Sequence, residues 1–168
     1  MMYTIFDLPK IPKHLILSIE EVLKLDNKFT GLSNNYSTHN VQNELKEYLQ
    51  LMFPEHQFFR YQLLKGNIPI HVDVSRDIAI NYIIDTGGSN VSTVWYDDTR
   101  TTAIESVVFQ PNIWHSIRTD IPHNVNNITE QRFAITITKG EDKKLLNKSD
   151  REREEYDKLI NTSSKNGD

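Results

Sequence analysis

Between Phe58 and Thr138 no single kind of run lasts long enough for a helix. Short segments rich in Ile, Val, Tyr, Phe and Thr alternate with turn residues, the pattern of successive strands. The spacing predicts strands near 58–64, 69–74, 77–85, 91–97, 104–110, 113–119, 122–126 and 132–138. Lys65-Gly66-Asn67, Gly87-Gly88-Ser89-Asn90 and Asp97-Asp98 supply turn signals between them. Eight short strands of this kind predict a small barrel or a double-sheet jelly roll.

Upstream the period changes. Leu15, Ile16, Ile19, Val22 and Leu23, then Val41, Leu45, Leu49 and Met52, are spaced as on helices over 12–25 and 40–53. GLSNNYSTHN between them reads as a polar loop. Downstream, residues 141–158 hold six basic and seven acidic side chains, a mixture typical of a solvated helix, here over 148–160, before a fraying tail. The expected organisation is one domain over 1–140, with helices in 12–53 and strands in 58–138. Residues 141–168 form a charged C-terminal helix and tail.

The chain of 168 residues contains no cysteine, which excludes disulfides, cysteine zinc sites and a thiol nucleophile. A metal could be held only by His, Asp and Glu. The net charge of -4 lacks the basic footprint of a nucleic-acid binder. No apolar stretch is long enough for a membrane span, and MMYTIFDLPKIPK has no leader pattern. A cytoplasmic protein is expected. The Asn-, Ile- and Lys-rich composition points to a bacterial or phage-infected host cell.

Candidate chemistry begins at Ile70-His71-Val72-Asp73-Val74. On a strand, His71 and Asp73 leave the same face. A third ligand would come from His115 or His123. Two His and one carboxylate on one face of a metal leave three positions open, the facial arrangement of non-haem iron oxygenases. Arg132 follows His123 by nine residues and opens the run Phe133-Ala134-Ile135-Thr136-Ile137. Alternation sets Arg132, Ala134 and Thr136 on one face, where a buried guanidinium calls for an anion. Asn81, set in an apolar run, needs a polar partner if buried. His14, His39 and His56 are expected at the surface. Trp95 reads as core or as the lining of a pocket mouth, and Arg76 would sit at that mouth.

The ordered set Tyr61, His71-Val72-Asp73, His123-Asn124-Val125 and Arg132-Phe133-Ala134-Ile135-Thr136 resembles the 2-oxoglutarate/Fe(II)-dependent dioxygenases, nearest their prolyl-hydroxylase-like branch. The resemblance spans 58–138. It implies a double-stranded β-helix core, jelly-roll or cupin-like, packed by N-terminal helices. It also implies that His71, Asp73 and His123 bind Fe(II). His115 would leave an interval of seventeen to Arg132 instead of nine. Arg132 and Tyr61 would hold the distal carboxylate of 2-oxoglutarate, and Asn81 would touch cosubstrate or substrate. The implied reaction is hydroxylation of a prolyl or other peptidyl residue with release of succinate and CO2, using O2, with ascorbate in addition. A free amino acid, nucleobase or other small molecule is the alternative substrate, and a non-catalytic cupin-like binding module the alternative role. The expected partner is a peptide or small molecule, with neither nucleic acid nor membrane. The loop between the strands at 69–74 and 77–85 is shorter than in larger relatives. That leaves the core either open or closed by GLSNNYSTHN or by the charged tail.

Overall fold

The computed structural model describes residues 1–30, 35–73 and 76–140, with 27–30 described by backbone alone. In chain order the elements are strand β1 (Tyr3–Phe6), a 3-10 turn (Lys13–Leu15), helix α1 (Ile19–Val22), β2 (Asn27–Thr30), β3 (Tyr36–Asn40) and α2 (Asn43–Met52). There follow β4 (Phe58–Leu64), β5 (Ile68–His71), β6 (Ile78–Asp85), β7 (Ser92–Tyr96), β8 (Ala103–Val107), β9 (Trp114–Arg118), β10 (His123–Asn126) and β11 (Arg132–Thr138).

The strands form two antiparallel sheets. One has the order β1-β9-β6-β11-β4-β3-β2 and the other β5-β10-β7-β8. Apart from the β3–β4 and β7–β8 hairpin pairs, the strands β4 to β11 pair with non-consecutive partners, and the chain passes between the sheets in the manner of a double-stranded β-helix. The fold is the jelly-roll or cupin-like one, mainly β with two short helices.

Alternation sorts the side chains into two layers. The outer face of the larger sheet presents Tyr61, Leu63, Phe133, Ile135 and Ile137 to Val22, Leu45 and Leu49 of the helices. Leu45 and Leu49 lie four apart on one face of α2 and are fully buried. Each contributes about 1.5–3 kcal/mol by leaving water. The inner face packs Ile83 and Ala134 with Trp95 and Phe109, and Tyr3 stacks on Trp95. Trp95 is thus core, and its Nε1–H donates to the Arg118 carbonyl at 2.9 Å. Strand β11 lies between the two layers, and six of its seven residues are buried.

The N-terminal region departs from expectation. The predicted helix over 12–25 is only a 3-10 turn and the four-residue α1. Pro12 precedes the turn, and the chain is extended again at Ile16. The new start at Ser18 is fixed by a capping box with Glu21. The polar segment read as a loop contains β3, whose Thr38 and His39 pair in register with Gln62 and Tyr61 of β4. Polar side chains on both faces disguise this strand. His39, expected at the surface, is buried opposite Tyr61. The helix expected over 148–160 lies outside the described residues. No described helix is long and apolar enough to cross a membrane.

Candidate metal centre

His71 ends β5 and His123 begins β10. The two are registered partners across the antiparallel ladder, so their side chains leave the same face. Their ring centroids lie 4.4 Å apart. Two residues beyond β5, the Asp73 N–H donates to the Thr119 carbonyl at 2.8 Å. This bond turns the carboxylate towards both rings. Asp73 Oδ1 is 3.1 Å from His71 Nε2 and 3.7 Å from His123 Nε2. Ligand atoms of His71, Asp73 and His123 all lie within 4.8 Å of one another, close enough to share one ion.

The backbone sets the direction of each ring. His71 Nδ1 is 2.8 Å from the Pro69 carbonyl, and His123 Nδ1 is 2.8 Å from the Ile121 carbonyl. A carbonyl only accepts, so each Nδ1 carries the hydrogen and Nε2 is left for a metal. Burial opposes a charge on Asp73. The Arg76 guanidinium and the His71 hydrogen bond outweigh it and hold the carboxyl well below the usual carboxylate range. Burial also opposes a charge on His71, but the hydrogen bond and charge of Asp73 prevail and raise its pKa. Burial and the neighbouring His71 lower His123 to about 4.

Arg76 is half-buried and its guanidinium turns inward. Its Nε donates to Asp73 Oδ2 at 2.6 Å and its NH1 to Thr136 Oγ1 at 3.0 Å. The three-residue step from Asp73 was visible in the sequence, but not that the two side chains meet.

Arg132 stands on the same inner face as Ala134 and Thr136. It is 6% exposed, and its Nε has no hydrogen-bond partner. Burial alone pulls its pKa down to about 10. No carboxylate among the described residues forms an ion pair with it. Gly87, at φ +76, makes room for it. A Cβ there would lie 2.8–2.9 Å from Arg132 N, Cα and Cβ, so the predicted Gly-Gly turn abuts the anion-seeking residue.

Asn81 is a cross-strand neighbour of both Thr136 and His115. It is 7% exposed, with Oδ1 unpartnered. His115 is fully buried and stacked on Phe109 at 3.7 Å. Its Nδ1 meets the Ile113 carbonyl at 3.3 Å, and its Nε2 has no partner. Burial lowers it to about 4. His115 stands outside the metal-ligand group.

Tyr61 corrects the sequence reading. It pairs with Ile135, not with Arg132, and belongs to the outer face. Its ring lies 5.4 Å from that of Phe133. Its hydroxyl donates to Gln42 Oε1 at 2.9 Å and accepts from the Leu17 N–H at 3.1 Å. It is a core tyrosine joining the sheet to the N-terminal region, and it does not share the face of Arg132. The residues beside it in the polar interior, Tyr36 and Gln62, were not singled out from sequence. Gln62 Nε2 donates to the Tyr36 hydroxyl at 3.4 Å.

Fold and site together define a double-stranded β-helix protein with a His-Asp-His group that could hold a metal. No protein-family model matches the chain, and no curated protein sequence gives a significant match. Among solved structures, it is similar to an oxidoreductase of the 2OG-Fe(II) oxygenase family from Burkholderia pseudomallei. That match has a TM-score of 0.53 and 8% identity over 71% of this chain and 76% of the other. A polyketide cyclase, RemF, from Streptomyces resistomycificus matches at 0.40 and 8%, over 73% and 78% of the two chains. A mutant of oxalate decarboxylase OxdC from Bacillus subtilis matches at 0.45 and 14%, over 72% of this chain and 29% of that one. At such identity the likeness to the Burkholderia protein is one of fold.

Proposed function

We propose that the chain is a non-haem Fe(II)- and 2-oxoglutarate-dependent oxygenase that hydroxylates a prolyl or other peptidyl residue. One observation carries the reading. A buried guanidinium with no counter-ion among the described residues, Arg132, shares a strand face with Thr136, which Arg76 joins to Asp73 of the His-Asp-His group. An uncompensated buried charge is costly, and a dicarboxylate with one end on a metal would relieve it.

The residues fit the metal. Two imidazole nitrogens and one carboxylate oxygen are the donors of the facial arrangement that leaves three positions free. Both Nε2 atoms are directed by backbone carbonyls, and Asp73 is ionised. When bound, iron with 2-oxoglutarate and O2 supplies the oxidising power for C–H hydroxylation, with release of succinate and CO2. The chain's own residues do the rest. His71, Asp73 and His123 would hold the ion. Arg132 would anchor the far carboxylate through its planar fork. Asn81, its Oδ1 unpartnered, would touch the cosubstrate or the substrate. Ile83, Ala134 and Phe109 would keep water from the interior. The peptidyl substrate class rests on the likeness of the His-Val-Asp and Arg-Phe-Ala-Ile-Thr segments to prolyl hydroxylases.

The test is anaerobic addition of Fe(II) and 2-oxoglutarate to the purified protein. A weak visible charge-transfer band from the chelate is expected. Absence of both the band and 2-oxoglutarate binding overturns the oxygenase reading. Uncoupled 2-oxoglutarate turnover should then be stimulated by proline-containing peptides. Stimulation by free amino acids or nucleobases alone overturns the peptidyl class.

A further inference from the structure

We infer that Arg76 is a positioning residue of the metal centre: by occupying Asp73 Oδ2 it confines that carboxylate to a single metal bond through Oδ1. The inference rests on the metal reading above and deepens it.

A carboxylate beside a cation can bind through one oxygen or both. Which it does here is settled by what surrounds it. Oδ1 faces the two imidazoles, 3.1 and 3.7 Å from their Nε2 atoms. Oδ2 receives Arg76 Nε at 2.6 Å. That length belongs to a strong, charge-assisted bond. Swinging Oδ2 onto the metal would break it.

Arg76 is itself held on several sides. Its NH1 donates to Thr136 Oγ1 at 3.0 Å, across to the opposite sheet. Its carbonyl accepts from Thr119 Oγ1 at 2.8 Å. Tyr36 also hydrogen-bonds its side chain. Thr119 closes the loop, because its carbonyl takes the Asp73 N–H at 2.8 Å. A lysine could satisfy Oδ2 but not Oδ2 and Thr136 together, since the guanidinium reaches both through its fixed fork.

The chemical consequence is the number of open positions. Two Nε2 atoms and one Oδ1 leave three of six octahedral sites free, whereas a bidentate Asp73 would leave two. A chelating 2-oxo acid fills two, so the third exists only while Asp73 is monodentate. The brace also ends on β11, the strand that begins with Arg132. The metal carboxylate and the anion site are therefore tied to one strand.

Mn(II) alone is the probe. Water-proton relaxation of the bound ion counts exchangeable positions without any turnover. Wild type should bind Mn(II) with three such positions. Arg76→Met should still bind it, with relaxation per bound ion lower by about one-third. Arg76→Lys, which keeps a donor on Oδ2 but gives up the Thr136 anchor, should fall between Arg76→Met and wild type, close to Thr136→Val. Thr136→Val, which removes one anchor and no ligand, should give a smaller fall in the same direction. It decides the matter if Arg76→Met does not fold. Unchanged relaxation per bound ion in Arg76→Met, or in Thr136→Val where the former is unfolded, overturns the assignment. A wild-type protein that binds no Mn(II) overturns the metal reading beneath it, a result visible before any variant is made.

Discussion

His71 and His123 face each other across the β5–β10 ladder, and each gives its Nδ1 hydrogen to the carbonyl two residues upstream. The same device recurs at His115 with Ile113. Three histidines are thus prepared in one way, yet only two of them stand beside Asp73.

That difference predicts unequal effects of substitution. His71→Ala and His123→Ala should each weaken Fe(II) binding by more than about 100-fold, beyond the usual cost of losing an outer-sphere partner. His115→Gln should leave the metal affinity within a few-fold of wild type. Anaerobic equilibrium dialysis measures all three. Metal loss in the His115 variant with retention in the His123 variant would reverse the ligand assignment.

Arg132 carries a prediction of opposite signs. Arg132→Met removes a buried charge that no described carboxylate pairs, so the ligand-free fold should gain stability, by about 1 kcal/mol or more in urea melts. The same change should weaken 2-oxoglutarate binding by roughly 30-fold or more, the scale for losing one partner of a buried charged pair, with Fe(II) binding retained. A variant both less stable and equally able to bind the acid would contradict this.

His115 links burial to pH. Its folded pKa is lowered from 6.5 to about 4. Below pH 6.5 the unfolded chain therefore takes up a proton that the folded chain refuses until about pH 4. Unfolding is favoured progressively as the pH falls through that window, by an amount on the order of 3 kcal/mol at full extent. Metal-free His115→Gln should show a correspondingly flatter dependence of stability on pH between 6.5 and 4. Parallel curves for the variant and wild type would rule out this contribution.

Tyr61 gives a control for the site. Tyr61→Phe removes one donor and one acceptor at the Gln42–Leu17 junction. It should cost about 1–3 kcal/mol of stability. The affinity for 2-oxoglutarate should not change. A selective loss of that affinity, with stability intact, would return Tyr61 to the site.

Much of the architecture was legible because it is local. All eight strands read between 58 and 138 are present, and β4 and β11 have the expected limits. The parity that sets Arg132 with Ala134 and Thr136 is a property of one strand. What failed required a second strand. Whether Tyr61 shares the face of Arg132 depends on the β4–β11 register, which opposes Arg132 to Leu64 and Tyr61 to Ile135. Strand β3 was hidden because alternation of polar with apolar residues is lost where both faces carry polar groups. The Arg76–Asp73 bond depends on the directions of the two side chains, which spacing alone does not reveal.

Strand β11 writes two messages in one alphabet. Its odd-numbered residues, Phe133, Ile135 and Ile137, meet the helices, while its even-numbered Arg132, Ala134 and Thr136 meet the interior. Inserting or deleting one residue within it would swap the two sets, because a slip of one turns every side chain to the other face. Substitution is gentler. The even positions could be rewritten towards another acid or another substrate while the odd positions go on holding the sheet to its helices, so the strand permits change of chemistry but not of frame.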